Sequence, residues 1–156
     1  MDHEKFMRAA AALAEKNVAD GTGGPFGAVI VHDGEIVGEG TNQVTSNNDP
    51  TAHAEVVAIR EACAKLETFN LDGCVIYTSC EPCPMCLSAI YWARLDHIFY
   101  GNTKADAAAI DFDDDFLYTE IPKPIDQRAI PTTQLLREET IKSFEAWVVS
   151  ETKIPY

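Results

Sequence analysis

Four residues in this chain have the types and spacing of a reactive metal site. His53 and Glu55 stand two apart, and further along Cys83 and Cys86 stand three apart. Imidazole and thiolate are ligands that zinc selects, and three such ligands leave one tetrahedral position open to water. A carboxylate beside that position can move the water's protons. The pattern therefore makes His53, Cys83 and Cys86 candidate ligands, Zn2+ the expected cofactor and Glu55 the candidate catalytic proton carrier. Three-ligand zinc lowers the pKa of water from 15.7 to about 7. That produces a nucleophile suited to an electron-poor, amino-bearing ring carbon. A competing arrangement stays open at this point. Cys80 lies three before Cys83, so Cys80, Cys83, Cys86 and His53 could close a purely structural four-ligand site.

These residues need elements to hold them. Cys83 and Cys86 share one face if they open a helix, and Pro82 suits its first turn. The positive end of that helix would lower the thiol pKa values. A second helix is predicted to begin at Asp49-Pro50-Thr51 and run to about Leu66, burying Val56, Ile59, Cys63 and Leu66. His53 and Glu55, at i and i+2, cannot share a face of a regular helix, so His53 is expected in an irregular first turn.

Ahead of them, residues 2–19 place Phe6, Ala9, Ala10, Leu13 and Val18 at helical spacing. The runs 26–31 and 36–40 flank Asp33-Gly34 as a hairpin. Residues 42–49 read as a polar loop, 74–78 and 95–100 as strands, and 133–150 as a last helix. Trp92 is expected in the core. The alternation of helices and strands after the hairpin points to an α/β fold, a three-layer α-β-α sandwich. Both site helices would start at the carboxyl ends of adjacent parallel strands.

Composition narrows the partners. The net charge is −13, from 25 acidic and 12 basic residues. Nucleic-acid binding draws on Lys and Arg that neutralise phosphates, so a nucleic-acid polymer is not expected. No apolar run reaches the roughly 18 residues of a membrane span, and the acidic start lacks a secretory h-region. An odd set of five cysteines suits a reducing compartment. The expected location is cytoplasmic, with no membrane partner.

The H-x-E and P-C-x-x-C pair is the signature of zinc nucleobase deaminases. Three longer stretches extend the likeness: Gly23-Gly24-Pro25-Phe26-Gly27-Ala28-Val29-Ile30, Asn47 to Glu55, and Tyr77 to Cys86, followed by Ala89-Ile90-Tyr91-Trp92-Ala93-Arg94. On these residues the sequence resembles the bacterial guanine deaminases of the cytidine-deaminase-like superfamily. tRNA adenosine deaminases and fungal-type cytosine deaminases share the same motifs with variations. Phe112-Asp113-Asp114-Asp115-Phe116 and the terminal Tyr156 favour the guanine group.

The resemblance implies one cytidine-deaminase-like domain over residues 1–156 with a mixed five-stranded sheet. It also implies a homodimer, with the segment from about residue 120 to 156 exchanged between subunits. The implied reaction is guanine to xanthine and ammonia, on a small-molecule purine. Asn42, Asp114 and the backbone N–H of Ala54 would bind the base, Phe26 and His53 would line the ring pocket, and Tyr156 would close it. Asp115 departs from the family pattern and leaves open which carboxylate reaches the substrate. A nucleoside deaminase with the same zinc site is the nearest alternative; a tRNA adenosine deaminase is the third.

Overall fold

The computed structural model describes residues 2–156. They fall into two compact units, Met1–Asp114 and Asp115–Tyr156. The first unit begins with helix α1 (His3–Ala19), started by Asp2, whose carboxylate accepts from the Lys5 amide. Strands β1 (Gly27–His32) and β2 (Glu35–Thr41) follow, joined at Asp33-Gly34, where both residues have positive φ. That is the backbone of a two-residue hairpin, and Gly34 adopts it without a Cβ penalty. Short α2 (Val44–Asn47) and α3 (Ala54–Leu66) come next, then β3 (Cys74–Cys80), α4 (Pro84–Ala93), β4 (His97–Asn102) and α5 (Lys104–Ala108).

The sheet order is β2-β1-β3-β4. β1 runs antiparallel to both β2 and β3, and β3 is parallel to β4. Alternation along the strands builds two cores. Ala28, Ile30, Cys74 and Ile76 pack with Ala54, Ala58, Ala62 and Ile90 of α3 and α4. Val29, Val31 and Tyr77 pack with Phe6 and Ala10 of α1. A period of two thus places helices on both faces, giving the expected α-β-α layers.

Close helix-to-sheet approach depends on glycine. A Cβ at Gly40 would lie 2.0 Å from the Ala54 carbonyl oxygen, and one at Gly38 would lie 2.4 Å from that of Ala58. β2 therefore offers α3 a bare backbone, and the start of α3 is seated by that contact.

Several expectations need correction. The sheet has four strands among the described residues, not five. Beyond Asn102 the sequence has no alternating apolar run, and Pro122, Pro124 and Pro131 interrupt it. The strands that feed α3 and α4 are β2 and β3, which point the same way but have β1 between them. α3 starts at Ala54, because Asp49 spends its carboxylate on a turn, accepting from the Thr51 amide (2.8 Å) and hydroxyl (2.7 Å). Its fully buried face is Ala54, Glu55, Ala58 and Ala62, with Ile59, Cys63 and Leu66 packed at the edge.

Pro84, not Pro82, occupies the first turn of α4. Residues 44–47 form a helical turn within the expected loop. Trp92 is exposed rather than core, as is Val18, whose place on the buried face of α1 is taken by Asn17.

The second unit contains α6 (Asp115–Glu120), a 3-10 turn at Ile125–Gln127 and α7 (Arg137–Val149), narrower than the expected 133–150. None of its residues is buried. Phe144, Trp147 and Val148, at i, i+3 and i+4, are 71%, 48% and 67% exposed, which leaves α7 with an uncovered apolar face.

Candidate metal centre and substrate pocket

Two helix starts deliver the ligands. His53 is the residue before α3, in extended conformation (φ −71°, ψ 156°). Glu55 is the second residue of the helix and is buried. The expected irregular first turn is thus a helix boundary falling between the two residues. Cys83 precedes α4 in the same conformation (φ −65°, ψ 167°), to which Pro84 restricts it. Cys86 lies one turn inside and is fully buried.

His53 Nδ1 stands 3.6 Å from Cys83 Sγ and 3.4 Å from Cys86 Sγ. Tetrahedral zinc, with Zn–S near 2.3 Å and Zn–N near 2.0 Å, requires such pairs to be about 3.5 Å apart. The three residues fit that ion, with all ligand atoms within 4.8 Å of one another. The Cys80 thiol turns instead toward the Thr103 carbonyl at 3.7 Å, and burial pushes it up to about 11, so it stays neutral. Three ligands and an open position, rather than four, is the arrangement these residues make.

The electrostatics match a metal site. Hydrogen bonding from Cys86, and then from His53, holds the Cys83 thiol down to about 4 despite burial. Cys86 is pushed up by sharing its proton with Cys83 and by burial. His53 is raised chiefly by its hydrogen bond to Cys83. Before metal arrives, the trio thus holds one thiolate and a retained thiol proton. Burial raises Glu55, which keeps its carboxyl receptive to a proton.

A cavity of about 420 Å³ opens over the cluster. Phe26, Asn42, His53, Glu55, Cys83 and Asp114 all line it. The Asn42 side-chain oxygen accepts from the Val44 amide at 3.3 Å, which leaves the NH2 group to donate. Burial is also the first cause raising the Asp114 pKa. Ala54, fully buried, is the first helical residue beside the metal ligands, where an amide N–H has no intrahelical partner. Asp113 lines the cavity too; Asp115 and Tyr156 belong to the second unit, where Tyr156 is exposed.

Sequence reasoning assigned no role to three groups. Asn17, buried in α1, donates to the Gly24 carbonyl (2.8 Å) and the Asn42 carbonyl (2.9 Å), tying α1 to the pocket strand end. Its signal was available: an amide at helical spacing on an apolar stripe. Phe112 packs edge-on against Phe26, centroids 4.9 Å apart. Glu81 and Lys104 line the cavity from the two diverging chain ends beyond β3 and β4; no local pattern marked either.

Residues 1–102 match the profile of the cytidine and deoxycytidylate deaminase zinc-binding region. Over 147 residues the chain is 56% identical to a guanine deaminase of Bacillus subtilis, covering 94% of each sequence. The crystal structure of guanine deaminase from that organism superposes with a TM-score of 0.97 at 54% identity, covering 100% of this chain and 99% of that one. A tRNA-specific adenosine deaminase of Aquifex aeolicus is 41% identical over 100 residues, 64% of this chain and 66% of its own.

Proposed function

The chain belongs to the family of the cytidine and deoxycytidylate deaminase zinc-binding region, and from that premise we propose that it is a zinc-dependent guanine deaminase, hydrolysing guanine to xanthine and ammonia. The observation that carries this reading is where the likeness runs. It continues past residue 102, where the family profile ends, and takes in the Phe112–Asp114 wall of the pocket. The tRNA deaminase likeness covers a smaller share of the chain, and the net charge of −13 opposes a polyanionic substrate.

His53, Cys83 and Cys86 hold the zinc. When bound, it supplies the Lewis acidity that makes water a nucleophile near neutral pH. Glu55 takes a proton from the attacking water and returns protons to the ring nitrogen and the departing amine. Water adds at C2, the C2–N bond breaks and ammonia leaves, so atoms balance as guanine plus water to xanthine plus ammonia. The Asn42 NH2 donates to the guanine carbonyl, and Asp114 accepts from ring N–H groups. The free N–H of Ala54 holds a further acceptor. Phe26 and the His53 ring flank the base. A pocket whose polar groups need these partners rejects bases that leave them unpaired.

The uncovered apolar face of the second unit supports a homodimer in which residues 115–156 pack on a second copy, with Tyr156 of that segment closing the pocket. Five free cysteines support a cytoplasmic setting. No helix among the described residues is long and apolar enough to cross a membrane.

The test is ammonia release by the zinc-loaded protein from guanine, guanosine, adenine, adenosine, cytosine and cytidine. Turnover confined to guanine is expected. Preference for a nucleoside would overturn the pocket assignment, and silence on all six would overturn the activity.

A further inference from the structure

β3 and β4 pair as far as Cys80 and Asn102, and there the two chains part. One runs through Glu81 to the zinc ligand Cys83. The other runs into α5 and on to Phe112 and Asp114. Three contacts hold this fork together. The Glu81 N–H donates to the Asn102 carbonyl at 2.8 Å. The Cys80 thiol reaches the Thr103 carbonyl at 3.7 Å. The Lys104 N–H donates to Glu81 Oε2 at 3.1 Å.

Only the last of these uses a side chain to reach the segment 104–114, whose own backbone bonds are local: Ala107 to Thr103, Ala109 to Ala105, Phe112 to Ala107. The Lys104 amide on Glu81 and the Phe112 ring on Phe26 both join that segment to the body of the unit. They sit at its two ends. Thr103 and Asp106 cap α5 reciprocally, so the helix moves as one piece with its first amide.

We infer that Glu81 is a positioning residue: by accepting the Lys104 N–H, its carboxylate fixes the wall that carries Phe112 and Asp114 relative to the zinc ligands. The inference rests on the guanine deaminase reading for its kinetic consequence, but not for its geometry. An N–H bonded to a carboxylate is stronger than a neutral pair and sets direction as well as distance. Loss of it frees the wall, which weakens binding of the base and leaves Glu55 and the metal ligands in place.

The test compares holoenzymes. Glu81→Ala should keep one zinc per chain, raise KM for guanine about tenfold and leave kcat within a small factor. Exchange of the Lys104 amide should quicken by about tenfold or more. Glu81→Gln, which keeps an acceptor oxygen, should restore most of both. The same bond can be removed from its other end. Lys104 is the first residue of α5, where proline is tolerated, and Thr103 is already extended (φ −87°, ψ 166°) as a residue before proline must be. In a Lys104→Ala background Glu81→Ala should still raise KM; in Lys104→Pro it should add nothing.

Unchanged KM and unchanged amide exchange in Glu81→Ala would overturn the inference. So would Glu81→Gln as impaired as Glu81→Ala, which would signal a role for charge. If Glu81→Ala fails to fold, Lys104→Pro against Lys104→Ala reads the same bond, and equal KM values overturn it. If the wild type leaves guanine untouched, the substrate assignment has failed and the amide exchange decides Glu81 alone.

Discussion

Gly40→Ala should damage catalysis without replacing any residue that contacts substrate. The new methyl would sit 2.0 Å from the Ala54 carbonyl oxygen, and ordinary contact begins at 3.4 Å, so the start of α3 must withdraw by roughly 1.4 Å. Both partners are backbone in regular elements, so no side chain can swing aside. His53 and Glu55 flank Ala54 and would move with it. A displacement near 1 Å costs about 100-fold in rate where geometry is preset, and overpacking adds about 1–3 kcal/mol of destabilisation.

The assay is steady-state xanthine formation per zinc-loaded chain, read beside a thermal melt. Gly34→Ala supplies the control. It lies at positive φ with open space around it, so it should lower Tm by strain while kcat/KM holds. Gly40→Ala with wild-type kcat/KM would refute the claim that β2 seats the proton carrier and the histidine ligand.

Three further outcomes follow from the same geometry. Asn17→Ala should cost about 2–4 kcal/mol in unfolding free energy, because two carbonyls lose a donor, one of them buried; a chemical denaturation midpoint near wild type would contradict it. Asp114 has its pKa raised above 3.8 by burial, so its carboxylate is lost earlier as pH falls; KM for guanine should climb on acidification from a higher pH than an ordinary aspartate allows, and Asp114→Asn should flatten that limb. Metal-free protein near neutral pH has Cys83 ionised and Cys86 still protonated. Zinc binding should therefore release roughly one proton or more per ion, with affinity falling as pH drops. Calorimetry in buffers of different ionisation heat reads that number, and zero release would contradict the ligand set.

The catalytic residues were legible because their constraints are local. His53, Glu55, Cys83 and Cys86 need fixed spacings at two helix starts, and the i, i+2 offset kept His53 out of regular helix although the start itself was expected earlier, at Asp49. Strands were legible for the same reason, since a short continuous apolar run such as Ala28 to Val31 marks a strand buried on both faces. What was not read depends on distant partners. Asn17 matters because its amide meets a carbonyl 25 positions away. Glu81 matters because β4 happens to deliver the Lys104 amide to it. The capping pattern at Asp49 misled because an aspartate can close a turn with the same atoms that start a helix. Trp92 looked apolar enough for a core, yet the buried face of α4 is filled by Cys86, Ile90 and Ala93.

The central claim is that Glu55 moves protons beside a three-ligand zinc. Glu55→Gln is nearly isosteric and leaves His53, Cys83 and Cys86 untouched, so xanthine formation and zinc content can be measured on one preparation. The account predicts one zinc per chain and a loss of about 1,000-fold or more in kcat. Turnover within tenfold of wild type, at full zinc, would contradict it.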